Sequence, residues 1–484
     1  MRPNLFLWIG SIFLTVSIIT RGNGPATVDN PTPTPTPTPS PTPATGVFMW
    51  KGNSNGAGTY DSETHLTPQN VNVNQFGRIA TLQTDGVIMA QPLYFKSLDM
   101  GAQGTHDVIL VATEHDSVYA FDAASTSGQP LWKRSLLGPG ESAGIDNFGG
   151  RTALGGEVGI TGTPVIDASS NRLFVVATVQ KSDGSAHQWL HCLSLADGSD
   201  AGAGAVEVQA SVPGDGRASV NGQIAFDPLM QNQRAGLLLQ SGVLFVAWGS
   251  FSDFPPYHGW LMAYDPTTLH QLGVFNTATQ YIAVDPGADH GGGASIWQGG
   301  ALISVDSDGY LYVVAADGSF NADTGGSDYG DTVLKLKFAN GAFQVIDWFT
   351  PHNQVCINKT DIEVGSGGVA MLPTTNGQKL AAVISKEGRL FILNRDNLGH
   401  YNSAGDSQIP QSLMVGAYEC SDGITSADLT RRVLDALTTA TVKAVANSAT
   451  DVGKDLGKSL GTGVNTGVSN LGKSLGGLFK KTTN

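Results

Sequence analysis

The sequence predicts an all-β fold: a β-propeller of about five recognisable blades of roughly 70 residues, followed by a C-terminal tail that is helical or disordered. Three observations carry this. A short phrase of small residues and an alternating apolar strand enters at Pro92 (AQPLYF), Pro164 (GTPVID), Gly236 (RAGLLLQ), Ala301 (GGALISVD) and Val369 (GGVAML), at intervals of 72, 72, 65 and 68 residues. Each copy is followed by a further apolar run: VILVATEHDSVYAFDA, RLFVVATVQ, VLFVAWGS, YLYVVAADG and RLFILNRDN. The 62 glycines and 14% charged residues suit many tight turns and few long surface helices. Self-similarity at a fixed period marks units that bury their apolar faces on one another. Strand-only units arranged radially also hide their sheet edges.

The chain opens with Arg2 and the apolar run LFLWIGSIFLTVSII, which reads as an export signal or an N-terminal anchor over residues 1–26. The run is short of the roughly 20 apolar residues that a membrane span needs. Gly24 and Ala26 flank Pro25 where a cleavage motif would lie, so the cleaved and the anchored readings both stand. Either one places the rest of the chain outside the cytoplasm, whether secreted, periplasmic or envelope-anchored. A linker over residues 27–46 follows, with PTPTPTPTPSPTP at 31–43. Proline at alternate positions blocks helix and sheet pairing and favours an extended polyproline II stalk.

Residues 47–410 form the expected propeller. Turn sequences such as SGQP, ADGSD, VDSDG, TTNG and SKEG punctuate it, and no stretch shows sustained helical periodicity. Blades this long require inserted loops, for which residues 138–157, 251–260 and 317–331 are the candidates. Function concentrates on loops held by a rigid scaffold.

Residues 411–484 depart from the pattern. A strand is due near Leu437, but SADLTRRVLDALTTATVKAV sets Leu429, Val433, Leu437 and Ala440 on one helical face, with Ser426 placed as N-cap. Beyond it Gly453, Gly457 and Gly461 form a G-x-x-x-G-x-x-x-G series, and the tail from Thr425 carries a net +4. Such a segment lies on a membrane surface or packs helix on helix; glycine inside a helix also fits a poorly ordered tail.

A formal charge of −14 excludes nucleic acid as a partner of the propeller, since phosphate binding needs a basic face. Cys192, Cys356 and Cys420 make no disulfide framework; a Cys192–Cys356 bridge is one pairing open to them. Metal candidates are Asp317, Asp323, Asp328 and Asp331 in DGSFNADTGGSDYGD, which either hold Ca²⁺ or form a solvated Gly/Asp loop. They lack the EF-hand order. Asp306 and Asp308 in VDSDG read as a turn. Catalytic candidates are His258 (YHGW) and His290 (HGGGASIW), because imidazole titrates near neutral pH, although both also suit blade-locking roles. Asp361 and Glu363 in TDIEVGSGG would share one side of a strand near the channel mouth. There they would bind a cation, act as acid and base, or stabilise a loop through backbone amides. Asn358–Thr360 is an N-x-T sequon.

AFDAASTSGQPLW at 120–132 resembles the repeat of pyrroloquinoline-quinone (PQQ) propellers, with strand, Asp turn and Trp. GITGTPVID, FPPYHGWLMAYD, HGGGASIWQGG and KEGRLFILNRDNLGHYN extend the likeness over about Asn74 to Tyr401. In these motifs the chain is similar to exported bacterial PQQ-like β-propeller repeat proteins of unknown function. The resemblance implies the quinoprotein alcohol dehydrogenase-like fold, though many such propellers are non-enzymatic scaffolds. It stops near Pro410, where family members continue through more blades, and the vicinal cysteine pair of several such dehydrogenases is missing. A truncated ring, a fused domain and a misread gene each account for the switch, and a ring short of blades exposes a sheet edge.

The expected function is therefore a binding or scaffolding module at the cell envelope, holding an envelope protein, a glycan or a small ligand. Membrane contact would come through the N-terminal anchor or the C-terminal tail. The alternative is a PQQ- and calcium-dependent oxidoreductase of alcohols or sugars.

Overall fold

Alternating apolar residues put one row of side chains on each face of a strand, and the five copies of the repeat fold accordingly into five antiparallel sheets. The computed structural model describes residues 45–60, 63–145, 156–283, 289–416 and Cys420. The leader, the Pro/Thr stalk and the helix predicted from Ser426 lie outside them.

Blade 1 runs through Leu93–Asp99, Thr105–Ala112, Ser117–Asp122 and Pro130–Ser135. Blade 2 is Val165–Asp167, Arg172–Lys181, Ala186–Ser194 and Asp200–Glu207, and blade 3 is Leu238–Gln240, Val243–Ser250, Trp260–Tyr264 and Gln271–Asn276. Ser304–Val305, Leu311–Val314, Val333–Ala339 and Ala342–Phe349 make blade 4. Ala370–Met371, Leu380–Ile384, Arg389–Asn394 and Gln411–Met414 make blade 5. The recurring phrase is in every case the strand that leads its blade. In the fifth copy RLFILNRDN is the third strand and not the second, because KLAAVI supplies the second.

Consecutive blades pack face to face through buried apolar clusters. Leu93, Val108 and Val118 meet Leu173 and Val175 between blades 1 and 2. Phe174 and Leu190 meet Leu244, Trp248 and Trp260 between blades 2 and 3. Phe245 and Leu261 meet Leu311 and Val313 between blades 3 and 4, and Tyr312 and Phe349 meet Phe391 and Leu393 between blades 4 and 5. Burying each such side chain contributes about 1.5–3 kcal/mol. Trp132 locks blade 1 to blade 2 by donating its indole N–H to the Leu195 carbonyl at 3.0 Å. Among the described residues no buried apolar cluster joins blade 5 to blade 1.

The segment ahead of blade 1 is not a passive linker. Thr45–Val47 pairs antiparallel with the leading strand of blade 1. The Phe48 carbonyl then accepts the Ile166 N–H of blade 2 at 2.8 Å, and Met49 and Trp50 pack on the blade 3 cluster. Ser54 and Asn55 carbonyls accept the N–H groups of Val305 in blade 4 (2.7 Å) and Met371 in blade 5 (2.8 Å). One short stretch thus passes all five blades in order, hydrogen-bonding the leading strands of blades 1, 2, 4 and 5 and packing on blade 3.

Two sequence readings are corrected here. Cys356 is bridged to Cys420, with Cα atoms 6.0 Å apart, and Cys192 is a buried free thiol. Cys192 sits in the strand Ala186–Ser194 of blade 2 among apolar neighbours, out of reach of Cys356. The body also contains a helix, Gln354–Thr360, too short for its periodicity to show in the sequence. No helix of the described residues is long and apolar enough to cross a membrane.

Candidate cation site

Three loops converge beyond the strands of blades 3, 4 and 5, and each brings a carboxylate. Asp253 follows Val243–Ser250 in a left-handed conformation, with Ser250 Oγ donating to its Oδ1 at 2.5 Å. Asp317 follows Leu311–Val314. Asp361 is the left-handed C-cap of the helix Gln354–Thr360, at φ 53°. One carboxylate oxygen from each of the three lies within 4.8 Å of the others. Calcium–oxygen bonds of about 2.3–2.6 Å allow that separation across a shared ion.

The backbone around Asp317 is clamped from two sides. Asn358, four residues after Gln354 on the same helical face, accepts the Gly318 N–H at 3.1 Å and donates to the Gly318 carbonyl at 3.2 Å. The glycine run after His290 packs against it from the other side, with Ala294 N–H donating to the Asp317 carbonyl at 2.6 Å. Only glycine permits this approach, since a Cβ on Gly318 would lie 2.1 Å from the Ala294 nitrogen. The sequon asparagine is thereby a structural clamp.

The charge is unbalanced. Asp317 Oδ1 is shielded from solvent without a hydrogen-bond partner. Burial, then the charges of Asp253, Glu363, Asp331 and Asp361, hold its carboxyl well above the usual range. Asp331 is wholly buried, and burial pushes it up to about 8; the Val364 N–H pulls the other way. Tyr257 is pushed far up as well, by burial and then by Asp317 and Asp253. Lys386 is the cation within reach, and it is already committed: Nζ lies 2.6 Å from Asp361 Oδ1 and 2.7 Å from Glu363 Oε2. Burial raises Glu363 and Lys386 draws it back down. Lys386 also lies over the Trp297 ring, 5.4 Å from its centroid.

The predicted residues sort as follows. Of the loop aspartates, Asp317 enters the triad, and Asp331 lies behind it, tied to Gln354 and Val364. Asp328 is used elsewhere, accepting Thr279 and Gln280 N–H groups and the Ser319 hydroxyl. Asp323 stands exposed in a 3₁₀ turn. Asp361 and Glu363 meet at Lys386 but flank a helix end, not a strand; Asp361 is exposed and Glu363 buried. His258 is buried, its ring nitrogens 2.8 and 2.9 Å from the Ala278 and Arg217 carbonyls, and burial lowers its pKa. It therefore bridges two loops. His290 stacks on Tyr281 and faces the Ile282 carbonyl. Asp306 accepts the Asp308 and Tyr310 N–H groups, as a turn residue does. Sequence reasoning missed Asp253 and Lys386, and singled out Asn358 only as a sequon. An acidic residue in the Ser-Asp-Phe-Pro-Pro stretch of the 251–260 loop was the available signal for Asp253.

Neither a family profile nor a curated protein sequence matches the chain. Among solved structures, a quinohemoprotein alcohol dehydrogenase from Pseudomonas putida aligns with TM-score 0.50 and 14% identity, over 79% of this chain and 50% of that one. A europium-containing methanol dehydrogenase aligns with TM-score 0.48 and 13% identity, over 76% of this chain and 58% of that one. The first of these likenesses is one of fold, a β-propeller, and the chain spans about half the length of that enzyme. PQQ, the cofactor that the sequence resemblance raised, is a tricarboxylate; set against Asp253, Asp317, Asp331, Asp361 and Glu363, with Lys386 already paired, it meets repulsion from the described residues of this site. The donor set fits a hard divalent cation and does not fit the quinone.

Proposed function

We propose that this chain is a calcium-supported binding module of the exported compartment. Asp253, Asp317 and Asp361 would hold the ion. Three carboxylates supply fewer than the six to eight oxygens that calcium takes, so open positions remain for the hydroxyl or carboxylate oxygens of a bound glycan, envelope protein or small ligand. The observation that carries this reading is the convergence of three loop carboxylates around a buried, partnerless Asp317 oxygen. The Cys356–Cys420 bridge supports an oxidising compartment. Here the loops serve recognition, and the blades serve to hold them still.

Calorimetric titration of the full chain with CaCl₂ tests the site, with MgCl₂ as comparison and Asp317→Asn as the variant. Binding that raises Tm by mass action and is lost in the variant is the expected result. Absence of both heat and Tm shift at millimolar Ca²⁺ would overturn it. The alternative, a PQQ-dependent alcohol or sugar dehydrogenase, draws support from the fold likeness alone. Reconstitution with PQQ and Ca²⁺ followed by a dye-linked oxidation assay is expected to show no turnover; steady dye reduction would reverse the order of the two readings.

A further inference from the structure

The two end faces of the blade series are treated differently by the chain. On blade 1 the outer face (Val111, Tyr119, Phe121) is covered by Leu82. Asp85 of the same segment receives the Thr113 and Ser117 hydroxyls and pairs with Lys133 at 2.8 Å. On blade 5 the register places Ala370, Ala382 and Ile392 in one cross-strand row, and Ile384, Leu390 and Leu413 in the next, all on the face away from blade 4. Ile384 is 43% exposed, Leu413 40% and neighbouring Val415 59%. At its inner edge this face opens into a groove of about 420 Å³, which Trp50, Gly299, Ala382, Ile384 and Leu390 help to line. Within the first four blades, every equivalent face is buried by the next blade.

The chain leaves blade 5 from its outermost strand and is next fixed at Cys420, against the cluster between blades 4 and 5. Val415 and Gly416 N–H groups return to the Gly388 carbonyl at 2.8 and 2.9 Å. Cys420 is held by its bridge to Cys356 and by its N–H on Glu387 Oε1 at 2.9 Å. Five residues separate it from Ser426, enough to span at most about 20 Å. From there the sequence presents Leu429, Val433, Leu437 and Ala440 on one helical face, at the position where a sixth blade would begin. A helix over 426–441 would be about 24 Å long, sufficient to cross a four-stranded sheet of about 19 Å.

We propose that residues 426–441 dock as an amphipathic helix on the free face of blade 5, so that this same chain caps its last blade as the 82–87 segment caps its first. The Cys356–Cys420 bridge sets the starting point of the docked segment. This reading is independent of the calcium site.

Hydroxyl-radical footprinting of the full chain tests it. Ile384, Ile392 and Leu413 are expected to be protected in the wild type at every protein concentration. They should become severalfold more reactive in Val433→Asp/Leu437→Asp, while Thr438→Asp, on the opposite helical face, leaves them protected. Unchanged reactivity of Trp248 and Trp260 verifies that each variant remains folded. Equal labelling of blade 5 in wild type and double variant would overturn the proposal. Protection that appears only as concentration rises would overturn it in favour of a second copy as the occupant.

Discussion

The Asn55 carbonyl accepts the Met371 backbone N–H at 2.8 Å, which ties a residue ahead of the first blade to the leading strand of the fifth. Phe48 makes the corresponding bond to Ile166 of blade 2, seven residues earlier in the same stretch. The order of the blades is thus copied into the order of the contacts along one short segment. Each contact satisfies a backbone group that would otherwise sit on an open sheet edge.

Gly56 ends that segment at φ +69°, with an added Cβ placed 2.5 Å from the Val369 carbonyl oxygen and 2.6 Å from Ser304 Oγ. Gly56→Ala should therefore lower stability by about 2–3 kcal/mol through left-handed strain and displaced backbone. Denaturant unfolding checks this. An unchanged midpoint would mean that the segment contributes little to holding the blades.

Asp331 gives the site a pH dependence. Its pKa is raised to about 8 in the folded state from the ordinary 3.8, chiefly by burial. The folded protein therefore retains a proton that the unfolded chain gives up. The associated stability is complete below about pH 4 and is lost as pH rises through about 8, at up to ~1.4 kcal/mol per pH unit. Asp331→Asn should flatten the decline of Tm across that window. An identical slope in wild type and variant would assign the dependence to other groups.

Thiol counting distinguishes the cysteines. One reactive thiol per denatured, unreduced chain is expected, and three after reduction. Cys192 should resist alkylation in the native protein, because burial raises its pKa to about 11. Breaking the bridge, which closes over a sequence separation of 64 residues, should cost about 2–4 kcal/mol.

Trp248 donates its indole N–H to Gln188 Oε1 at 2.7 Å, and both side chains are fully buried between blades 2 and 3. Trp248→Phe leaves that amide oxygen without a donor and should cost about 1–3 kcal/mol. Replacing Gln188 by Leu in the same background should add to the loss, since the Gln231 and Pro228 carbonyls, at 2.6 and 3.2 Å, then lose the amide donor they share. Thermal unfolding of the single and double variants measures both terms.

The repeat was legible because it is written locally. Alternation in VLFVAWGS or RLFVVATVQ fixes a two-faced strand, and VDSDG fixes a turn through Asp306 and its own neighbouring amides. The helix Gln354–Thr360 was not legible, since two turns are too few to establish a period. The site was half legible: Asp317, Asp361 and Glu363 stood out as acidic residues in Gly-rich segments. Their partners Asp253 and Lys386 lie 64 residues before and 69 residues after Asp317, and only blade-to-blade packing brings them together. Asp328 looked equivalent to Asp317 in sequence, yet its oxygens are consumed by Thr279, Gln280 and Ser319.

By itself, then, the sequence determined the fold class, the five units and their inner strands, since hydrophobic alternation and turn chemistry act between residues a few positions apart. Tertiary structure decided which carboxylates share a site, which cysteines bond, and that residues 45–56 run along the inner edges of the blades. Those outcomes depend on distances between segments that the chain separates widely, and on whether a buried oxygen finds a donor. No local pattern encodes either one.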